Sequence, residues 1–425
     1  MNLYDSERLY KSLSGQYEPT SSEEEADLIL YNTCSVRGKS EQKIRSTLGE
    51  IKDLKKKKPH LVIGVGGCVA TQEGKKLLNK VSHLDLVFGV DQIEEILLLI
   101  EKAKKKERLS QISFKEEYSF YATNTIVDNK NFSKVSSYVS IIQGCEKPCT
   151  FCIVPTTRGF EKSRNPQEVI NEIQSLVDAG TKEIILLGQN VNAYRTKNTS
   201  FEDLITLIEK KVTGLKRLRY ITSHPNDVSK EIVQIHKESS LLAKHIHMPI
   251  QAGSTRILKR MARLYSKEEY LEKVESIRSQ VKNISISSDI IVGFPGERDV
   301  DFEETLDVVR KNQFDQVYAF KYSPRPGTPS KEKLNDDIPE EVKDERLQKV
   351  LDVVDQVMLQ GNKLYEGKEV EVLVEGASKT NPHMLTGRTS NNRIINFPGD
   401  ISLKGELLPI QIKKALVYSL EGSLS

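Results

Sequence analysis

Hydrophobic positions change their spacing twice along this chain of 425 residues. Up to residue 105, short apolar runs alternate with helical periodicity. Asp27-Leu28-Ile29-Leu30-Tyr31, Leu61-Val62-Ile63-Gly64-Val65 and Leu86-Val87-Phe88-Gly89 read as buried strands. Between them, residues 39–54, 72–78 and 93–103 repeat apolar side chains at helical spacing. Strand and helix in alternation predict a small doubly wound α/β domain over residues 1–105. Residues 106–130 lose the periodicity and carry Thr123-Asn124-Thr125 and Asp128-Asn129-Lys130, which predicts a linker.

From 131 to 361 the alternation resumes with longer periods. Strand candidates are 138–143, 183–188, 217–222, 245–250, 284–293 and 314–322. Helical patterns fill the gaps at 166–179, 201–211, 229–239, 254–263 with 267–281, and 300–311. Parallel strands covered on both faces read as continuous apolar runs, and Ile184-Ile185-Leu186-Leu187 is one. Repeated strand–helix units with right-handed crossovers predict a partial (β/α)6 barrel, with chemistry on the loops after the strands. A long helical pattern starts at Glu340. Beyond it the period falls to two: residues 368–375 alternate strictly, and 385–388, 393–397 and 407–418 come after with Gly, Asn and Pro between. Residues 364–425 therefore predict a small all-β barrel. Such barrels often bind nucleic acid, and Lys379, Arg388, Asn392 and Arg393 are its candidate phosphate contacts. Scattered surface charge is the alternative.

Charge and composition narrow this little. Lysine and arginine number 63 against 60 acidic residues, a formal charge of +3. So near a balance makes no electrostatic case for nucleic acid by itself. The lysine runs 55–58 and 104–106 follow helical patterns, where cations suit the C-terminal dipole. No run of apolar residues is long enough to span a bilayer. The polar start at Met1 is no signal peptide, so no membrane partner and a cytoplasmic location are expected. Five cysteines, three of them clustered, do not suggest a disulfide framework.

The clustered three carry the chemistry. Cys145-Glu146-Lys147-Pro148-Cys149-Thr150-Phe151-Cys152 follows the first strand of the partial barrel. Three thiolates so close face one inorganic centre more readily than they pair with each other. A structural zinc site wants four ligands, which a distant His would have to complete. A four-iron cluster held by three cysteines instead leaves one iron open. Buried packing is the remaining alternative. Cys34 and Cys68 end two strands of the first domain, where ligands of such sheets bind, and are candidate metal ligands too. The glycines of Gly64-Val65-Gly66-Gly67 lack the lysine of a phosphate loop. They read as clearance for whatever Cys68 binds.

With an aromatic before its last cysteine, the C-x3-C-x2-C loop resembles the radical S-adenosylmethionine (SAM) signature. The whole chain resembles the radical SAM methylthiotransferases in domain order. The resemblance rests on Asn32-Thr33-Cys34-Ser35-Val36-Arg37 and Gly66-Gly67-Cys68. It rests also on Ser288-Asp289-Ile290-Ile291-Val292-Gly293-Phe294-Pro295-Gly296-Glu297 and Tyr322-Ser323-Pro324-Arg325-Pro326-Gly327-Thr328, and on a terminal barrel similar to the RNA-binding TRAM domain. Leu187-Gly188-Gln189-Asn190-Val191-Asn192-Ala193-Tyr194 and His247-Met248-Pro249-Ile250-Gln251-Ala252-Gly253-Ser254 resemble one branch. That branch methylthiolates isopentenylated adenosine beside the tRNA anticodon, at position 37. The other branches act on threonylcarbamoyl-adenosine or on a ribosomal-protein aspartate. A non-catalytic iron–sulfur RNA-binding protein is the rival from another class.

The resemblance implies a 4Fe-4S cluster on Cys145, Cys149 and Cys152, with SAM chelating the open iron. Reduction cleaves SAM to a carbon radical, which can take an unactivated aromatic hydrogen that no acid–base side chain could. It also implies a second 4Fe-4S cluster as the sulfur carrier, on three cysteines of the first domain. This chain has two, Cys34 and Cys68, and the edge strand with the third is expected upstream of Met1; a true loss is the alternative. Gly188, Gln189, Asn190, His247, Gln251 and Asp289 are the candidate SAM contacts. A tight strand–helix turn with an Asn cap is the plainer reading of the first three. His245 and His247 share one face of a strand and line a cavity. Arg158 and Arg164 are candidates for tRNA phosphate or the SAM carboxylate. The implied partners are a tRNA anticodon stem-loop, a flavodoxin- or ferredoxin-type electron donor and a sulfur donor, with the protein a monomer.

Overall fold

The computed structural model describes residues 1–35, 38–115, 135–379 and 381–425, with no side chains described for 38–41. The expected turns at Thr123-Asn124-Thr125 and Asp128-Asn129-Lys130 lie outside the described residues. Two compact units emerge. One holds residues 1–115 with Gln143–Glu146 and Cys152–Arg164; the other holds 135–142, Lys147–Phe151 and Asn165–Ser425.

The first unit is built on a parallel sheet of β1 (Leu28–Thr33), β2 (Val62–Gly67), β3 (Leu86–Phe88) and β4 (Leu109–Gln111), in that order. Every residue of β2 and β3 is buried, because helices cover both faces. On one face Ile63, Val65 and Val87 pack with Leu48, Val69 and Leu77. On the other, Leu86 and Phe88 pack with Leu9, Ile96 and Ile100. Leu9 belongs to a helix, Asn2–Leu13, that the periodicity did not predict. The pattern over 39–54 resolves into two helices, Gly38–Glu50 and Lys52–Lys57. β4 falls inside the expected linker, a short polar edge strand paired to β3.

The glycines of β2 have a local reason. A Cβ on Gly66 would lie 2.3 Å from the Phe88 ring, and one on Gly67 would lie 2.3 Å from the Thr33 carbonyl. Gly67 also sits at φ +87°, where L side chains are strained. Clearance for strand and ring packing, rather than for a ligand of Cys68, explains them.

Next along the chain come β5 (Ser136–Ser140), β6 (Ile142–Gln143), β7 (Lys162–Ser163), β8 (Glu183–Leu187), β9 (Arg217–Tyr220), β10 (His245–His247), β11 (Ser285–Val292) and β12 (Gln316–Lys321). A short ladder joins β6 to β7. In the second unit, parallel sheets β5-β8-β9 and β10-β11-β12 are bridged at Leu218, whose N–H donates to Leu241 O at 3.0 Å and whose carbonyl accepts from Ala243 N at 2.7 Å. The expected partial barrel results. Alternate strand residues such as Ile184, Leu186, Leu218, Ile246 and Ile286 point outward and pack against Val169, Ile173, Leu204 and Ile208 of the surrounding helices. Those helices start where the sequence caps them. Ser200 and Asp203 form a capping box on Phe201–Lys211, and Ser266 and Glu269 form one on Lys267–Gln280.

The other alternates are polar and line the interior. At its amino end Glu183 sits 3.2 Å from Arg219 and 3.9 Å from Arg217, all three almost fully buried. The two arginines also reach out of the partial barrel. The closed barrel β13 (Glu369–Ala377), β14 (Met384–Thr389), β15 (Ile394–Pro398), β16 (Leu407–Ala415) and β17 (Leu420–Leu424) inserts its β14–β15 turn there. Arg217 donates to Arg388 O at 2.8 Å and Arg219 to Thr389 O at 3.2 Å. Ser285 donates to Asn391 O at 2.8 Å. Arg393 pairs with Asp315 at 2.5 Å and lies over the Tyr365 ring, and Arg388 pairs with Glu375 at 3.0 Å. The side chains read as phosphate contacts, Arg388 and Arg393, are thus spent on ion pairs. Of the expected charged set, only Lys379 is exposed without such a pair among the described residues.

Glu183→Ala leaves two buried guanidinium groups without their carboxylate, and breaking a buried pair in this way costs about 3–5 kcal/mol. A urea titration of the full chain should show an unfolding free energy lowered by that order, with secondary structure intact before the transition. A loss below about 1 kcal/mol, the level of an exposed pair, would disprove the structural role.

Candidate functional site

The carboxyl ends of the partial-barrel strands gather backbone strain. Thr222 follows β9 at φ +76° and Gln251 follows β10 at φ +78°. For a β-branched residue such as Thr222 this is a real outlier, and outliers of this kind concentrate at functional sites. Thr222 O accepts from Val191 N at 2.9 Å, and Gln251 bridges β11, donating from N to Asp289 O at 2.9 Å and accepting from Ile291 N at 2.8 Å. Gln251 is thereby pinned by its backbone at the mouth.

Asn190 is fixed more tightly still. It is 1% exposed; its amide oxygen accepts from His224 N at 3.0 Å and its Nδ2 donates to Asp227. Asp227 also pairs with Lys147, from the cysteine loop, at 2.7 Å. Asn190 therefore ties the loop after β8 to the loop after β9 and, through Asp227, to the cysteine loop. It caps no helix by its side chain. Gly188 is needed for close packing, since a Cβ there would meet Ile142 Cγ2 at 2.4 Å. Gln189 is half-buried beside it.

Inside the strands, one hydroxyl links two histidines. Ser287 Oγ lies 2.9 Å from His245 Nε2 and 2.9 Å from His247 Nδ1. His247 Nε2 lies 3.4 Å from Asp289 Oδ2, and its ring meets Tyr318 edge-on at 6.1 Å. Exposure rises along this row: His245 is buried, His247 and Asp289 are partly open, and Tyr318 is 43% exposed. A polar interior that opens toward its carboxyl end can hold the ribose or amino-acid groups of a ligand by hydrogen bonds.

Cys149 is buried in the same unit. Arg263 Nη1 donates to its sulfur at 3.3 Å, and the next residue is clamped by Thr150 N donating to Met261 O at 3.0 Å and Thr150 O accepting from Ser330 N at 2.8 Å. Phe151, the aromatic of the signature, packs edge-on against Phe294.

Cys145 and Cys152 belong to the first unit. Cys145 N donates to Gly159 O at 3.2 Å. Gly144 precedes it at φ +84°, with no room for a Cβ against Phe160 O. In that unit Arg158, 3% exposed, donates from Nε to Cys68 Sγ at 3.3 Å and from Nη2 to Asp5 Oδ2 at 2.6 Å. Arg164 is 2% exposed and donates to Tyr4 OH at 3.3 Å. Burial of both arginines corrects their reading as contacts for tRNA phosphate. Asp5, Asp227, Lys147 and Arg263 escaped the sequence reading.

None of the five cysteines, all of them described, is in a disulfide. Among the described residues no three His, Cys, Asp or Glu side chains are gathered into a ligating group. The donor chemistry nevertheless suits an iron–sulfur cluster: three thiols on one short loop, one of them facing a buried guanidinium that offsets thiolate charge.

Comparison with known proteins gives the class. Residues 139–309 match the radical SAM superfamily, 363–425 the TRAM domain and 1–89 the uncharacterized protein family UPF0004. A radical SAM methyltransferase from Kitasatospora setae superposes with a TM-score of 0.59 at 14% identity, over 78% of this chain and 71% of its own. That likeness speaks for the fold alone. This is a radical SAM protein with a terminal TRAM barrel. Three full-length relatives carry the name tRNA-2-methylthio-N(6)-dimethylallyladenosine synthase. Those of Syntrophus aciditrophicus, Carboxydothermus hydrogenoformans and Geobacillus kaustophilus are 44%, 42% and 42% identical over 100% of this chain and 92%, 97% and 80% of their own. The chain belongs to the family of these synthases.

Burial lowers three imidazoles of the second unit. His224 falls to about 2, with burial first and then the charges of Arg263, Lys147 and Lys273. His236 falls to about 3 through burial and then Lys244, and burial takes His245 well below its usual value. Their unfolded value is about 6.5, so below that pH the unfolded chain binds more protons and stability falls. Urea midpoints should therefore drop steadily from pH 6.5 toward pH 3. Replacing His236, whose Nε2 meets Tyr220 OH at 2.8 Å, by Gln should flatten part of that slope; an unchanged slope would refute a neutral buried His236.

Proposed function

We infer that this chain is a tRNA methylthiotransferase, converting N6-isopentenyladenosine beside the anticodon to its 2-methylthio derivative. The observation that carries this is identity of 40–44% across the whole chain to synthases of that name. No helix among the described residues is long and apolar enough to cross a membrane.

In this reading Cys145, Cys149 and Cys152 hold a 4Fe-4S cluster. When bound, that cluster with SAM supplies the one-electron cleavage that makes a carbon radical, chemistry that belongs to the cofactor. The chain's own part is to bind, orient and exclude water. Asn190 and Asp227 fix the strand-end loops around Lys147, so the cysteine loop is held before any ligand arrives. His247 and Asp289 present one donor–acceptor pair toward the opening, suited to a ribose hydroxyl. Gly188, Gln189 and Gln251 complete the SAM pocket at the strand ends. Cys34 and Cys68 belong to the site of a second cluster, with Arg158 beside Cys68, and the TRAM barrel grips the anticodon stem-loop. Electrons come from a flavodoxin- or ferredoxin-type protein, and a separate donor restores the sulfur.

Reconstituted protein should cleave SAM under reducing conditions, and Cys149→Ala should abolish the 5′-deoxyadenosine. Mass spectrometry of tRNA nucleosides from cells lacking the protein should show isopentenyl-adenosine without its methylthio group. Unchanged tRNA in that strain overturns the reading.

A further inference from the structure

Arg263 has an unusual position. The residue is 5% exposed, yet no carboxylate pairs with its guanidinium among the described residues. Its donors go instead to Tyr265 OH at 2.8 Å, to Pro249 O at 2.8 Å and to Cys149 Sγ at 3.3 Å. Tyr265 OH donates on to Ile250 O at 2.9 Å, and the guanidinium lies over the Tyr265 ring at 5.3 Å. The backbone is shaped to deliver it: Ala262 and Leu264, on either side, both have positive φ, +54° and +56°. Two left-handed non-glycine residues in three positions put strain into this turn. The same turn clamps the cysteine loop, because Thr150 N and Oγ1 donate to Met261 O and Arg260 O, each at 3.0 Å.

Contrast sharpens the point. Arg158, beside Cys68, shares its charge with Asp5 at 2.6 Å, so that pair is close to neutral. Besides the Tyr265 phenol, the ionisable group that Arg263 meets among the described residues is the Cys149 sulfur. The uncompensated charge is felt nearby, where Arg263 helps to keep His224 neutral. Potentials of iron–sulfur clusters follow net charge, hydrogen bonds to the sulfurs and exposure to solvent. A buried cation donating to a ligand sulfur favours the form with one more electron.

We propose that Arg263 is a positioning residue that raises the reduction potential of the cluster ligated by Cys149, by holding an unpaired positive charge and a hydrogen bond against that sulfur. This rests on the functional reading above. It assigns to the Met261–Leu264 turn the task of making the radical-generating centre easier to reduce.

The test uses the full chain carrying Cys34→Ala and Cys68→Ala, so that one cluster is measured. Reconstituted without SAM, it is titrated potentiometrically and followed by electron paramagnetic resonance. Arg263→Gln, with iron content unchanged, should weaken the reduction equilibrium at least tenfold, a fall of about 59 mV for one electron. Arg263→Lys, which keeps the charge and loses the planar fork, should fall between the two. A Gln variant with the parent's potential overturns the proposal. If the Gln variant holds no iron, the Lys variant decides by the same criterion. If neither holds iron, Arg263 is a scaffold for the loop and the proposal fails as well. A parent protein that takes up no cluster would instead count against the functional reading.

Discussion

A guanidinium taken out of water costs several kcal/mol unless its partners offset the loss, and three sites in this molecule are organised around such partners. Arg217 and Arg219 converge on Glu183 and on carbonyls of the β14–β15 turn. Arg158 is met by Asp5 and Cys68. Arg263 is met by a phenol, a carbonyl and Cys149. In each case at least one partner comes from a distant part of the chain, so the charge acts as a lock that closes only when those parts are correctly placed. Two of the three locks include a cysteine sulfur. Placing a cysteine and placing its buried cation are therefore one folding event.

The same economy divides the partial barrel into two ends. Its amino end meets the β14–β15 turn through Arg217, Arg219, Ser285 and Asp315, with Glu183 behind the two arginines. Its carboxyl end is left with partly open polar groups, His247, Asp289 and Tyr318, and with strained backbone at Thr222 and Gln251. Strain persists only where the surroundings over-determine it. Here the Asn190 network beside Thr222 and the backbone bonds of Gln251 to β11 supply that constraint. The end that meets the β14–β15 turn spends its charges on the terminal barrel, and the end that is strained keeps polar groups open.

Much of this was legible in the sequence, and the exceptions share a cause. The helix Phe201–Lys211 was read to the residue because Ser200 and Asp203 cap it locally. The strand Glu183–Leu187 was read within a residue because its apolar run is continuous. The helix Asn2–Leu13 was missed because it buries only Tyr4, Asp5 and Leu9, too few for a clear stripe. β4 was missed because an edge strand reading Leu-Ser-Gln has no apolar run. In the site, the cysteines announced themselves by spacing. The arginines did not: Arg158 meets Asp5 across 153 positions, and Arg263 meets Cys149 across 114. Spacing reveals ligands that lie on one loop, whereas the charges around them depend on tertiary contact.

That difference also explains why exposed-looking cations were misjudged. Arg158, Arg164, Arg388 and Arg393 lie in polar stretches, where a charged side chain is ordinarily solvated. Three have a partner on a strand or helix far away in sequence, and Arg388 meets Glu375 across its own barrel. Arginine suits these places because its planar fork reaches two or three partners in different directions, a carboxylate and a sulfur for Arg158 and a phenol, a carbonyl and a sulfur for Arg263. A lysine at 158 or 263 would bring the charge but could not keep two or three fixed partners in different directions. The arginines here therefore act through geometry as much as through charge. Substitution by lysine separates the two contributions wherever a cysteine is one of the partners.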